Sequence, residues 1–140
     1  MRKYLILCIV FALLAVAIFQ PGVQAASQGV VYYDYTRQSQ GVNNQSNVIA
    51  YFQCRGFVLA DSSELKQWMS DKIKSGAGGS TVIMSMGSVP VEIVESLSAN
   101  CTLANYLKAG GKIVWLGGAP LAIITYPDGS FRICDDSKRS

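Results

Sequence analysis

The sequence predicts an α/β domain in which a mostly parallel β-sheet lies between two layers of helices, as a three-layer sandwich. Short β-branched, apolar stretches alternate three times with amphipathic helical patterns, and this alternation is typical of right-handed βαβ crossovers. The turn sequence Pro127-Asp128-Gly129-Ser130 separates two further apolar stretches, so it predicts a C-terminal hairpin. A third observation, the succession of a helix, a tight turn and an apolar run between Thr102 and Pro120, indicates how the sheet is organised.

The first half of that segment has the pattern of a short amphipathic helix. Leu103, Tyr106 and Leu107 recur at i, i+3 and i+4 and would share one buried face. Gly110-Gly111 follows the last of them, and glycine readily adopts the left-handed conformation found at helix C-termini. The helix is therefore predicted to end at this first glycine pair.

The second half is a bare apolar run between two glycine pairs. Residues Ile113 to Leu116 are β-branched, aromatic or aliphatic throughout, which is typical of a strand covered on both faces. Gly117-Gly118 interrupts the run. We therefore expect a central parallel strand here, followed by a loop on the ligand side of the sheet.

The other elements follow from the same periodicities. Asp61 with Glu64 three residues later predicts a capping box. The helix after it has apolar residues at i, i+3, i+4 and i+8, namely Leu65, Trp68, Met69 and Ile73. Further strands are predicted at residues 29–35, 57–60, 81–86, 121–126 and 131–134, and further helices near residues 47–55 and 91–95.

The first 25 residues have the layout of a secretory signal peptide. Two basic residues precede an apolar run from Tyr4 to Phe19, and Val23-Gln24-Ala25 supplies small residues for cleavage after Ala25. Residues 26–140 would then form a single domain in a secreted or extracytoplasmic location. The alternative is an uncleaved signal anchor, which would hold the domain at a membrane.

Composition and cysteine use narrow the possible functions. The mature part would keep Cys54, Cys101 and Cys134, so an oxidising compartment predicts one disulfide and one buried thiol, with the pairing open. The chain has no histidine and its thiols are scattered, so neither a zinc site nor a cofactor is expected. The net charge is only +3. Without a basic stripe, nucleic acid is not an expected partner.

Candidate ligand-binding residues are those that follow the predicted strands. Ligands of open parallel sheets bind beyond the carboxyl ends of the strands. By that criterion the candidates are Asp34, Tyr35, Ser85, Gly87, Ser88, Gly117 and Gly118. Asp34 could bind a sugar hydroxyl or end a solvated strand, and the glycine pair could allow close approach of a ligand or form an ordinary turn. Asp61, on the same rim, is better explained as a helix cap.

The stretch from Met84 to Pro120 resembles a known family. Its apolar strand, its turn ending in Val-Pro, its helix and the sequence Gly-Gly-Lys-Ile-Val-Trp-Leu-Gly-Gly-Ala-Pro resemble class I glutamine-amidotransferase-like domains. The resemblance implies a flavodoxin-like fold. The family's catalytic members carry a Gly-x-Cys-x-Gly elbow, a histidine and a carboxylate. This chain has Ser85-Met86-Gly87-Ser88 at the elbow and no histidine, so the resemblance implies a shortened, divergent member without the catalytic residues.

These observations lead to an expected function. The chain is predicted to be an exported, non-catalytic α/β domain that binds a small molecule, a glycan or another envelope protein. One alternative is a degenerate amidotransferase-like hydrolase that uses the turn from Ser85 to Ser88, although no imidazole is present as a base. The other is a membrane-anchored interaction domain, which requires the signal to stay attached.

Overall fold

The computed structural model describes residues 28–37, 44–95 and 98–134. The predicted signal peptide lies outside these residues. The described part contains seven strands and four helices: β1 Gly29–Tyr32, α1 Gln45–Gln53, β2 Val58–Ala60, α2 Ser62–Ser75, β3 Thr81–Met84, β4 Val89–Pro90, α3 Val91–Val94, α4 Thr102–Lys108, β5 Lys112–Trp115, β6 Ile123–Thr125 and β7 Phe131–Ile133. The mixed α/β class predicted from the sequence is confirmed.

The strands form two sheets. The main sheet has four parallel strands in the order β2-β1-β3-β5. The smaller sheet has the order β4-β6-β7, in which β4 is parallel to β6 and β6 is antiparallel to β7. The direction in which successive strands are added changes between β1 and β3. Strand β2 lies on one side of β1, whereas β3 and then β5 lie on its other side.

The largest apolar cluster of the described residues lies on one face of the main sheet. Parallel pairing aligns Val30 of β1 with Val82 of β3, and Tyr32 with Met84. All four side chains are completely buried. Leu65 and Met69 of α2, and Leu103 and Tyr106 of α4, belong to the same apolar cluster. The central strands are thus β1 and β3, covered on this face by α2 and α4.

The expectation of a central strand at Ile113 to Leu116 is wrong. Among the described strands β5 pairs only with β3 and occupies the edge of the main sheet. Ile113 and Trp115 pack against the core, whereas Val114, on the other face, is 41% exposed. An edge strand needs apolar residues only on the face that packs against the core. Because Val114, on the other face, is also apolar, the sequence has the pattern of a strand buried on both faces.

The capping box predicted at Asp61 is confirmed. The Asp61 carboxylate accepts hydrogen bonds from the backbone N–H groups of Ser63 and Glu64, both at 2.9 Å. The Glu64 carboxylate accepts one from the Asp61 N–H at 3.0 Å. These bonds satisfy N–H groups that a helix start otherwise leaves without partners, so Asp61 is a structural residue.

The predicted end of the fourth helix is also confirmed. Helix α4 ends at Lys108, and Gly110 has a φ of 91°. A Cβ atom on Gly111 would lie 2.2 Å from the Tyr106 ring, so a larger residue there would displace a core side chain. Leu107, predicted to share the buried face of α4, is instead 48% exposed.

Two further findings concern the cysteines and the membrane. Cys54, Cys101 and Cys134 are free thiols, so none of these three described cysteines forms a disulfide.

Within the three described ranges, no helix combines the length and apolar character needed to span a bilayer.

Candidate functional site

Two contrasting features lie where the strands of the main sheet end. One is a buried polar network after β1, built around Asp34. The other is an apolar pocket next to the last residues of β3 and β5. Both are positioned by the sheet, because the carboxyl ends of parallel strands meet at the same edge.

The Asp34 carboxylate is fully engaged by neighbouring side chains. Oδ2 accepts hydrogen bonds from Ser62 Oγ at 2.6 Å and from Arg37 Nε at 3.0 Å. Oδ1 accepts bonds from the Thr36 N–H at 3.0 Å and the Thr36 hydroxyl at 2.5 Å. Asp34 is only 6% exposed. A buried carboxylate that already accepts four hydrogen bonds has no remaining capacity for a sugar hydroxyl.

Arg37 connects this turn to the smaller sheet and to α3. Its side chain is almost completely buried. Nη1 donates to the carbonyl of Thr125 in β6 at 2.8 Å, and Nη2 donates to the carboxylate of Glu92 in α3. One guanidinium therefore pairs with two carboxylates and holds three elements together through its planar set of donors.

The network shifts the pKa values of both charged partners. Burial raises the pKa of Asp34, but the hydrogen bonds from Ser62 and Thr36 and the charge of Arg37 outweigh it and lower the pKa to about 2. Burial lowers the pKa of Arg37, but its hydrogen bond to Glu92 and the nearby negative charges give a net rise. Both groups are held in their charged forms, which suits a structural ion pair rather than a proton-transferring acid or base.

The predicted turn from Ser85 to Ser88 is packed inside the protein. Ser85 Oγ donates to the carbonyl of Tyr32 at the end of β1, and the sulfur of Met86 accepts from the Asp34 N–H at 3.1 Å. Ser85 and Ser88 are completely buried. Ser88 Oγ has no hydrogen-bond partner within the described part of the chain. Gly87 has a φ of 68° and forms the bend of the turn.

The remaining predicted site residues are exposed, unlike Asp34. Tyr35 is 84% exposed, and Gly117 and Gly118 are exposed in the loop after β5. The structure thus brings together Asp34, Ser85, Gly87 and Ser88 near the end of β1, through Tyr32 and Met86. The glycine pair begins directly after Leu116, whose N–H donates to the carbonyl of Met84, the residue before Ser85, at 3.0 Å.

An apolar pocket of about 240 Å³ lies beside the end of β5. Its wall consists entirely of apolar side chains: Met84, Val89, Leu103, Leu107, Ile113, Trp115, Pro120 and Leu121. Met84 and Val89 are completely buried and form its interior, whereas Leu107 and Leu121 are partly exposed and mark its mouth. An apolar lining of this kind is typical of small-molecule sites, and the volume is that of a site for a very small ligand.

Local sequence features explain how the pocket forms. The strand register pairs Met84 with Trp115, so both side chains reach the same end and face of the sheet. Leu103 and Leu107 stand one turn apart on α4. The loop after β5 then supplies Pro120 and Leu121. Leu121 has a φ of 61°, a left-handed conformation that is costly for a branched side chain and is often found near functional sites.

Sequence reasoning missed this pocket because its residues resemble ordinary core residues. Leu103, Ile113 and Trp115 have the periodicity of buried positions, and nothing in that periodicity distinguishes a filled core from a cavity. The available signal was the apolar pair Pro120-Leu121, which follows Gly117-Gly118 and Ala119 at the point where the expected ligand-side loop meets the strand predicted from residue 121.

The polar groups of the described residues do not form a metal centre. No group of three or more cysteine, aspartate or glutamate residues there could hold a metal ion. The carboxylates of Asp34 and Glu92 are instead bridged by Arg37.

Comparison with known proteins adds one finding. The model of the MJECL34 family matches residues 27–137. The chain belongs to the MJECL34 family. No curated protein and no solved structure matched it. The MJECL34 match covers both the polar network and the apolar pocket, and it assigns an activity to neither of them. The geometry of the two features is therefore the guide to the function of this MJECL34 member.

Proposed function

We propose that this protein is an exported, non-catalytic α/β domain that binds a small molecule in the apolar pocket beside β5. The observation that carries the proposal is the pocket itself, with a volume of about 240 Å³ and an all-apolar wall. Export, and a secreted or extracytoplasmic location, rest on the signal-like pattern of residues 1–25.

The polar network supports a binding domain rather than an enzyme. Asp34, Arg37 and Ser62 direct their polar atoms at one another. Neither Ser85 nor Ser88 has an accessible hydroxyl, so the degenerate amidotransferase-like hydrolase receives no support from this geometry. A glycan is also a poorer ligand than an apolar molecule, because sugars require many hydrogen bonds and the pocket wall offers no charged or amide side chain.

The finer fold assignment is part of the proposal. We propose a flavodoxin-like three-layer sandwich with a C-terminal hairpin, related to shortened glutamine-amidotransferase-like domains. The order β2-β1-β3-β5 supports it, because flavodoxin-like sheets also change direction between their first and third strands. Contacts of α1 with β1 and β2 supply a candidate for the second helical layer, and the antiparallel pairing of β6 with β7 supports the hairpin.

An envelope protein as partner is a second candidate, supported by β7. This strand lies at the end of the smaller sheet. Phe131 and Ile133 on it are both exposed. An exposed strand edge with apolar side chains can pair with a strand of another protein. Membrane anchoring would add to either function if residues 1–25 remain attached.

A small-molecule screen with two matched variants tests the proposal. Thermal-shift measurements on the purified protein would identify compounds that raise its melting temperature, since a ligand of the native state stabilises it. Leu107→Arg places a charge at the mouth of the pocket. Leu59→Arg places the same charge at a similarly exposed leucine on β2, at the opposite edge of the main sheet.

We expect compounds that stabilise the unmodified protein to lose their effect on Leu107→Arg and to keep it on Leu59→Arg. If the Leu107→Arg protein responds to the same compounds with equal shifts, they bind elsewhere and the proposed site is wrong.

A further inference from the structure

We infer that the ligand of this pocket is a neutral, apolar molecule of about one ring, recognised by shape rather than by hydrogen bonds. The inference rests on the proposed function, because it specifies the chemistry of the same site. Three properties of the pocket carry it: its volume, the absence of charged groups in its wall and the orientation of its one polar side-chain atom.

The volume limits the ligand to a small molecule. A cavity of about 150 Å³ lined by aliphatic and aromatic side chains accommodates benzene. The pocket beside β5 has a volume of about 240 Å³. It therefore has room for one six-membered ring with a short substituent, on the order of ten non-hydrogen atoms. A two-ring or long-chain compound would extend past Leu107 and Leu121 into solvent.

The charges around the pocket exclude an ionic ligand. None of the lining side chains is charged or polar apart from the indole of Trp115. The nearest lysine along α4 is Lys108, and its amine donates to the carbonyl of Ala99 at 2.6 Å. A carboxylate or ammonium group entering the pocket would lose its hydration without gaining a counterion, which is strongly unfavourable.

The Trp115 indole does not offer a hydrogen bond to a ligand. Its Nε1 atom is buried and has no hydrogen-bond partner among the described residues. An atom that a water molecule cannot touch does not face the open space of the pocket, so this N–H is directed into the protein. Binding is then driven by apolar burial, and an added hydroxyl group on the ligand weakens it.

Three probes of nearly equal size test whether the pocket discriminates against charge. Toluene is neutral and apolar, whereas benzoate and benzylammonium carry opposite charges on the same ring. Trp68 and Trp115 are the two tryptophans of the chain, so Trp68→Phe leaves Trp115 as the single indole reporter in the pocket wall. Quenching or a spectral shift of its fluorescence then measures binding. Ligand-observed NMR on the unmodified protein gives the same comparison if the Trp68→Phe protein does not fold.

We expect toluene to bind and both charged probes to bind at least about 100-fold more weakly. Toluene binding should be lost in Leu107→Arg and kept in Leu59→Arg. Charged probes that bind as tightly as toluene, and only when Leu107 is present, would overturn the ligand class while leaving the pocket as the site. If no probe binds, or if toluene binds Leu107→Arg and the unmodified protein alike, the ligand class and the proposed function are both wrong.

Discussion

The ends of β1 and β5 lie at the same edge of one sheet and have opposite chemistry. After β1, Asp34 and Arg37 are buried and use their polar atoms on each other and on Glu92, Ser62 and Thr125. Next to β5, Trp115 and Leu121 border an open space of about 240 Å³ without charged groups. The Asp34 carboxylate after β1 is therefore fully hydrogen-bonded within the protein, whereas the space beside β5 is unfilled.

This difference shows that polar residues at a strand end do not by themselves mark a binding site. Asp34 has four hydrogen-bond donors within the protein, so it stabilises the fold and offers nothing to a ligand. At the other end, the pocket is a place where the packing of α4 against β5 is incomplete. Changes in the network should therefore alter stability, whereas changes at the pocket mouth should alter binding.

Replacement of Arg37 by methionine should have the largest effect on stability. Methionine keeps much of the apolar stem but leaves the buried carboxylate of Asp34 and the partly buried carboxylate of Glu92 without their shared counterion. We expect the free energy of unfolding, measured with urea, to fall by about 3–5 kcal/mol, as for other buried ion pairs that lose one partner. In a Glu92→Gln background the same replacement should cost less, because one of the two unpaired charges is gone.

An exposed ion pair provides the control for this prediction. Lys66 Nζ lies 2.8 Å from a carboxylate oxygen of Glu95, and both side chains are more than one third exposed. Lys66→Met should change stability by at most about 1 kcal/mol, because surface pairs are hydrated and screened. Equal losses for Lys66→Met and Arg37→Met would show that the network after β1 has no special structural role.

The pKa of Asp34 predicts a pH dependence of somewhat smaller size. The folded-state pKa is about 2, against 3.8 for the free side chain. Because the folded protein holds the ionised form, this stabilisation is fully present above about pH 5 and is lost as the pH falls through 4 towards 2. The shift corresponds to about 2.5 kcal/mol.

Asp34→Asn isolates this contribution from that of the other carboxylates. Between pH 5 and pH 2.5 the unmodified protein should lose about 1.6 kcal/mol more unfolding free energy than the variant, since the amide does not titrate. Urea unfolding at the two pH values measures it. The same pH dependence in both proteins would mean that the Asp34 carboxylate is not stabilised in the folded state.

Local sequence patterns predicted the individual elements because their causes are local. The capping box of Asp61 with Glu64 and the glycine end of α4 each involve residues a few positions apart. The prediction that β5 is a central strand was wrong, because β5 lies at the edge of the described sheet. An apolar run such as Ile113 to Leu116 indicates burial without stating which strands lie on either side.

The candidate site was less predictable because its contacts are distant in sequence. Arg37 reaches Thr125 across 88 positions and Glu92 across 55, so the sequence next to Asp34 gives no sign of the partners that Arg37 brings to it. The pocket likewise depends on how α4, β5 and the Pro120-Leu121 loop pack together. Two residues of the pocket wall, Pro120 and Leu121, follow β5, and the others come from β3, β4, α4 and β5 itself.

The smallest predicted effect compares the two glycines of the loop beside the pocket. Gly117 has a φ of 108°, a conformation that residues with a Cβ atom rarely adopt. Gly118 has no positive φ, and a Cβ atom built on it would meet nothing within 4 Å. Gly117→Ala should therefore destabilise the protein by about 1 kcal/mol, and Gly118→Ala should be neutral or slightly stabilising. Thermal unfolding measures both.

The same pair of variants tests whether the loop shapes the pocket. Gly117 precedes Pro120 and Leu121, which form part of the wall, so a strained residue at 117 should also weaken toluene binding, whereas Gly118→Ala should leave it unchanged. If Gly117→Ala lowers stability and toluene binds with unaltered affinity, the loop after β5 positions itself independently of the pocket. The shape of the pocket would then be set by α4, β3, β4 and β5 alone.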